Sequence, residues 1–277
     1  MRCAKCGHNT RTLDVYGMVD LADKHPERKR WQDNPEHRKT LEFYAWFIEA
    51  FDNARLLDVG AGPGTVAVPL SRLNNVQEVI CFERDPEARH TLQEIINREE
   101  NRKIQIAGEG DPWCLPFESS TFDVVICRYA MHHFADQPGA MREMSRCLKS
   151  GGTLLYSDVA MPEHSRDTTH GLYLLREDTF YGYRTYHQML ELVTKQNLSV
   201  VAVRPYDYQR GTLNDYLNVI EDGAMKDHLI RAWCGLDDKT KGELRWSGKP
   251  DGPFITYPII DVAARNAGSD DGGWLCV

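Results

Sequence analysis

The chain has 277 residues, with 33 Lys+Arg against 41 Asp+Glu, a formal charge of −8, 42% hydrophobic and 27% charged residues. This is the composition of a globular protein with one large or two small domains, and it excludes a disordered, collagen-like or coiled-coil chain. The acidic balance without a Lys/Arg-rich tract argues against nucleic acid as the partner, and no apolar run approaches the roughly twenty residues that cross a bilayer.

The N-terminal MRCAKCGHNTR has no apolar stretch behind its basic residues, so it is not a signal peptide, and a cytoplasmic protein is expected. In that compartment the eight cysteines read as free thiols. Cys81, Cys114, Cys127, Cys147 and Cys234 sit singly in apolar surroundings, as small hydrophobes do. Cys3, Cys6 and His8 have the spacing of half a zinc site, with Cys276 or a second copy as a fourth ligand. No second CxxC completes the tetrahedral set, so the reading is a mobile tip with two free thiols and no metal.

Residues 1–40 read as an N-terminal extension, charged and solvated over 20–40. Leu41, Tyr44, Ile48 and Phe51 recur at helical spacing. RLLDVGAGPG (55–64) is then a buried strand running into a tight turn, with a helix through about residue 73. EVICFE (78–83) is the second strand, and Asp85-Pro86 opens a helix as cap and first position. IQIAGEGD (104–111) and FDVVICRYA (122–130) are the third and fourth strands. A helix from Pro138 stops at Gly151-Gly152, and TLLYSDV (153–159) is the fifth strand. Beyond 160 the rhythm loosens into helices over about 169–180 and 185–197, a strand at 199–208, a helical stretch at 212–246 and a last strand at 254–263. The domain is expected over 41–265, with 161–184 and 211–250 as insertions covering the ligand end and 266–277 as a flexible tail. Strands alternating with helices imply a mainly parallel seven-stranded α/β sheet of Rossmann-like form with helices on both faces. Ligands in such sheets bind outside the carboxyl ends of the strands.

The sharpest chemical signal is Asp58-Val-Gly60-Ala61-Gly62-Pro63-Gly64. Glycines at alternate positions after a buried strand let a ligand lie on the main chain. The dinucleotide fingerprint needs a glycine where Thr65 stands, and Pro63 withholds an N–H from any pyrophosphate, so the loop suits a cofactor without phosphates. Glu83, at the end of the second strand, is placed to accept from both hydroxyls of a ribose.

Together, DVGAGPG, FERDP, GDPWCLPFESSTFDVVICRYAMHHF and MREMSRCLKSGGTLLYSD resemble a class I S-adenosylmethionine-dependent methyltransferase. The similarity is to the small-molecule branch that contains the ubiquinone/menaquinone C-methyltransferases, densely over 41–160 and in outline elsewhere. The resemblance implies that Gly60, Ala61, Gly62 and Gly64 bear the methionine part of S-adenosylmethionine, with Asp58 supporting the loop and the amino group. It places Glu83 and Arg84 at the ribose, Asp111, Pro112 and Trp113 at adenine, and Arg128 and His133 at the methionine end. Pro112 departs from the pattern, since it lacks the N–H that usually meets adenine; recognition then rests on Asp111 and on packing, Trp113 included.

His132 and His133, just past the fourth strand, are the candidate catalytic bases if the acceptor must lose a proton, with His164, His170 and Tyr181 as alternatives. In the resembling family this stretch also shapes the pocket without titrating. Aromatic residues fill the expected cover, and Tyr181, Tyr183 and Trp233 are the candidate acceptor contacts. The leading reading is methyl transfer to a carbon, oxygen or nitrogen of a small molecule such as an aromatic or quinone-like metabolite. The alternative is a protein of the same fold that binds the cofactor without transferring methyl, as a cyclase or a scaffold.

Overall fold

Residues 35–108, 110–209, 211–246 and 255–267 are described in a computed structural model of the chain. The first helix among the described residues, α1 (Pro35–Ile48), begins before the expected Leu41. Pro35 presets the helical φ where its missing N–H costs nothing, and Glu36 is an acid in the first turn. Leu41, Tyr44 and Ile48 are buried on its inner face, as their spacing requires. Phe51 falls beyond its end.

The elements that follow are β1 (Ala54–Val59), α2 (Ala67–Ser71), β2 (Val76–Phe82), α3 (Pro86–Arg98), β3 (Ile104–Ala107) and β4 (Phe122–Arg128). After a 3-10 turn at Met131–His133 come α4 (Gln137–Cys147), β5 (Leu148–Val159), α5 (Glu163–Arg176), α6 (Tyr186–Thr194) and β6 (Leu198–Gln209). The chain then runs through α7 (Leu213–Tyr216), α8 (Gly223–Cys234) and α9 (Asp238–Glu243) to β7 (Thr256–Asn266). The strands form one seven-stranded sheet of order β3-β2-β1-β4-β5-β7-β6. β1 pairs in parallel with β2 and β4, and β2 with β3, while β7 runs antiparallel to both β5 and β6. This is the Rossmann-like, mainly parallel sheet that the sequence implies. Among the described residues no helix is long and apolar enough to cross a membrane.

By compactness the chain divides into two units, one through residue 109 with Phe122–Ile126, the other comprising Gly110–Thr121 and the chain from Cys127. In the first, Leu56, Leu57, Val79 and Val124 are wholly buried. Parallel strands lie between layers and so read as continuous apolar runs. Asp85 caps α3 by accepting from the N–H groups of Glu87 and Ala88, as its position before Pro86 predicts. β3 is shorter than expected, ending at Ala107 and leaving Asp111 in an exposed turn.

In the second unit the departures are larger. α5 starts at Glu163, well before the expected 169, because its buried face opens with small polar residues rather than apolar ones. Thr169 returns its hydroxyl to the Ser165 carbonyl at 2.6 Å, and Ser165 donates to Glu243 on α9. A hydrophobic periodicity search passes over such a face. The 212–246 stretch is three short helices, capped by Thr212, Asp222 and Asp237. Across β5, β7 and β6, Ser157, Asp261 and Arg204 stand in register, and the buried Asp261 carboxylate accepts from Ser157 at 2.6 Å and from the Arg204 guanidinium. Burial pushes the Asp261 carboxyl up, and Arg204 opposes that shift.

Candidate functional site

The first unit contributes a turn and a clamp. β1 delivers a buried Asp58, and the chain then passes through Gly60, Gly62 and Gly64 at φ values of +76°, +55° and +85°. Two of these glycines serve different ends. A Cβ on Gly64 would stand 2.5 Å from Leu92 Cδ1 and 3.0 Å from Val68 Cγ2, so the turn is seated against α3 through the missing side chain. A Cβ on Gly62 would meet nothing within 4 Å. Gly62 therefore pairs a left-handed backbone with open space, where an incoming group can rest on the main chain.

Glu83 holds this turn in shape. Its Oε2 accepts the Gly62 N–H at 2.7 Å and its Oε1 accepts the Asp85 N–H at 2.8 Å, while the Gly60 N–H is spent on the Phe82 carbonyl at 2.8 Å. The carboxylate thus ties the glycine turn to the end of β2, a contact that residue spacing does not disclose. Each oxygen retains acceptor capacity. Ala61 is buried and Arg84 exposed, the latter's carbonyl accepting from Arg89 at 2.8 Å. The buried thiol of Cys81 is pushed up by its burial and then by Asp58 and Glu83. Cys127 and Cys147 are buried like Cys81, but Cys114 is exposed and Cys234 half-buried, against the apolar surroundings read for them.

In the second unit Asp111 is exposed, Pro112 buried and Trp113 half-buried, its Cβ backing onto Gly139 of α4. Arg128 closes β4 with its guanidinium 4.2 Å from the ring of Tyr129. Tyr129 adopts φ +52°, uncommon for an aromatic residue. The 3-10 turn that follows presents His132, whose Nδ1 lies 2.8 Å from Asp158 Oδ1 at the end of β5. The His132 N–H donates to Asp158 Oδ2 at 3.3 Å, and the Val159 N–H donates to Oδ1 at 2.8 Å. A carboxylate on Nδ1 leaves Nε2 as the basic nitrogen and fixes the ring's orientation. The Tyr183 ring centroid stands 4.9 Å from that of His132.

His133 has different surroundings. Its Nδ1 lies 3.3 Å from the Thr179 carbonyl and 3.6 Å from Glu177. Burial, followed by the neighbouring His132, holds its imidazole down to about 4, so it is neutral near pH 7. The sequence patterns point to His132 and not to its partner Asp158. The available signal was an acid at the carboxyl end of a central strand, where such sheets place their chemistry.

The aromatic cover is mostly packing. Tyr173 of α5 sits at its centre, with ring centroids 5.1 Å from Phe180, 5.0 Å from Tyr183 and 5.6 Å from Trp233. Trp233 has 0% exposure and stacks on Trp246, so this candidate acceptor contact is a core residue of the cover; its indole is walled in on all sides. Tyr181 is 49% exposed and, with Tyr183, lines a cavity of about 400 Å³. Sequence reasoning also passed over two other residues of that cavity, Gln137 and Arg184. Cys3, Cys6 and His8 lie outside the described residues.

The sequence model of a methyltransferase-domain family matches residues 26–203. An uncharacterized methyltransferase of Bacillus subtilis, YcgJ, is 38% identical over 111 residues, which are 39% of this chain and 42% of that protein. The ubiquinone/menaquinone biosynthesis C-methyltransferase UbiE of Teredinibacter turnerae is 27% identical over 113 residues, 40% of this chain and 45% of UbiE. The matched segments thus span less than half the length of either curated relative. The crystal structure of Bacillus subtilis YcgJ superposes with a TM-score of 0.73 at 22% identity, over 84% of this chain and 100% of that one. At that identity the likeness speaks to the fold.

Proposed function

This chain belongs to the methyltransferase-domain family, and from that premise we propose that it transfers a methyl group from S-adenosylmethionine to a small-molecule acceptor in the cytoplasm. The observation that carries the reading is the glycine turn. Gly62 offers main chain in a left-handed conformation with nothing within 4 Å of its Cβ direction, and Glu83 locks that shape from below. These residues fit the cofactor: the turn presents bare backbone, with Pro63 withholding an N–H that a pyrophosphate would need. We assign the methionine part to Asp58, Gly60, Ala61, Gly62 and Gly64 of the first unit. Glu83, with spare acceptor capacity on both oxygens, takes the ribose hydroxyls, and Arg84 lies beside it. Asp111, Pro112 and Trp113 take the adenine.

The cofactor supplies a methyl group on a sulfonium whose positive charge makes the transfer favourable. With the cofactor bound, the chain's task would be to hold and orient the acceptor, chiefly a proximity effect. Where the acceptor carries a proton, His132 Nε2 receives it and Asp158 steadies the imidazolium through Nδ1, 2.8 Å away. His133, neutral near pH 7, adds no charge beside His132.

Incubation with methyl-labelled S-adenosylmethionine and a metabolite panel, followed by mass analysis, is expected to show one labelled product and S-adenosylhomocysteine. Calorimetry is expected to show S-adenosylhomocysteine binding at micromolar strength and no binding of NAD. Heat from NAD alone would overturn the cofactor assignment, and tight cofactor binding without any labelled product would overturn transfer.

A further inference from the structure

We propose that the cavity beside Tyr183 binds a carboxylate on the acceptor, with Arg184 as the residue that receives it. The cavity has about 400 Å³, enough for a one-ring acid, and lies wholly within the second unit. Two arginines reach it, and their situations differ. Arg166 is already engaged, by Asp167 at 2.7 Å and by Gln188 Oε1 at 2.7 Å. Arg184 spends only its Nε–H, on Gln137 Oε1 at 2.6 Å. Its two terminal nitrogens make no ion pair among the described residues. With Arg166 and Asp167 cancelling, Arg184 carries the cavity's net positive charge; Glu191, which also acts on it electrostatically, is paired with Lys195 at 2.6 Å, and the Arg184 guanidinium keeps two terminal NH2 groups.

That fork matches the two oxygens of a carboxylate. His170 also lines the cavity, so a phosphate is the competing ligand against which the carboxylate is tested. The fork is also held in place. Gln137, 7% exposed in the first turn of α4, accepts from Arg184 and donates to the Gly182 carbonyl at 3.0 Å. The Arg184 carbonyl accepts the Met161 N–H at 2.9 Å, and the Tyr181 N–H donates to the His132 carbonyl at 2.8 Å. Residues 181–184 are thereby strapped at one end to the turn that carries His132 and at the other to the end of β5. Phe134, Tyr181 and Tyr183 supply ring surface within a lining that is otherwise largely polar, and Tyr183 borders both the cavity and the His132 ring. The acceptor class is therefore a small aromatic acid. Naming that ligand an acceptor rests on the methyl-transfer reading; the existence of the carboxylate site does not.

The test is ligand-observed NMR titration of the full chain with benzoate, benzamide and phenyl phosphate, alongside calorimetry with S-adenosylhomocysteine. Benzoate is expected to bind at least tenfold more tightly than benzamide and more tightly than phenyl phosphate. Arg184→Gln is expected to remove that preference and Arg184→Lys to keep part of it. The exposed control Arg142→Gln should change nothing, and S-adenosylhomocysteine affinity should stay within threefold in every variant. Unfolding midpoints identify any variant that has lost its fold, and Arg184→Lys carries the test if Arg184→Gln does so. Equal binding of benzoate and benzamide, or a benzoate preference that survives both Arg184 variants, overturns the site; preference for phenyl phosphate overturns the carboxylate assignment. Arg184-dependent benzoate binding in a protein that ignores S-adenosylhomocysteine supports the site and sinks the methyl-transfer reading instead.

Discussion

The glycine turn after β1 and the aromatic cover built on α5, α8 and residues 180–184 solve the problem of shaping a surface in opposite ways. The turn is made of main chain: its conformation comes from positive φ at Gly60, Gly62 and Gly64 and from backbone N–H groups received by Phe82 and Glu83. The cover is made of side chains, with Tyr173, Phe180, Tyr183 and Trp233 packed ring on ring and Gln137 and Arg184 bonded end to end. A surface of backbone tolerates little change in residue type. A surface of side chains can be re-cut by substitution while its strands stay fixed, which is how one fold comes to accept many substrates.

Within the cover, two aromatic variants separate a core residue from a cavity wall. Trp233→Ala empties a fully buried indole site and should cost about 3–5 kcal/mol of stability, measured by denaturant unfolding. Tyr181→Ala, at a half-exposed cavity wall, should leave stability within about 0.5 kcal/mol and impair acceptor turnover. Similar stability losses in the two variants would show that Tyr181 is packing as well.

The turn supports a second pair. Gly64→Val must fit branched carbons where Leu92 and Val68 already stand, at a left-handed φ, and should cost roughly 2–4 kcal/mol of stability. Gly62→Val meets open space, so its stability cost should be confined to the backbone conformation, about 1–2 kcal/mol. Its main effect should appear as lost S-adenosylhomocysteine binding in calorimetry. Intact binding in Gly62→Val would mean that no ligand rests on that stretch of main chain.

Asp158→Asn keeps the shape beside His132 and removes the charge. It should lower turnover by about tenfold to a hundredfold, corresponding to the roughly 1.5–3 kcal/mol of a hydrogen bond to a charged group. It should also shift the pH profile of kcat and leave S-adenosylhomocysteine affinity unchanged. A variant with a normal pH profile would reduce the His132–Asp158 pair to scaffolding.

The smallest expected effect belongs to His133. Its folded pKa of about 4 lies below the ordinary 6.5, so between those values the unfolded chain takes up a proton that the folded chain does not. Stability should therefore be fully present above about pH 6.5, decline as pH falls toward 4 and level off below that. His133→Gln should flatten this slope in a pH series of unfolding midpoints; an unchanged slope would assign it to other groups.

The alternation of strands and helices, the mainly parallel sheet and the turn at Gly60–Gly64 are legible in the sequence, because they follow from local rules of apolar periodicity and backbone sterics. The same local rules missed the start of α5, where Ser165 and Thr169 bury hydroxyls that bond to Glu243 and to the helix's own carbonyl. They set Tyr181, Tyr183 and Trp233 side by side as equals, and only packing separated a cavity wall from a core residue. His132 was legible as a candidate, but its partner Asp158 stands 26 residues away on another element, and Arg184 lies 47 residues from Gln137. Such pairs are decided by tertiary structure alone. A side-chain hydrogen bond depends on where two distant backbones are brought together, and nothing in the local pattern of either segment records the other.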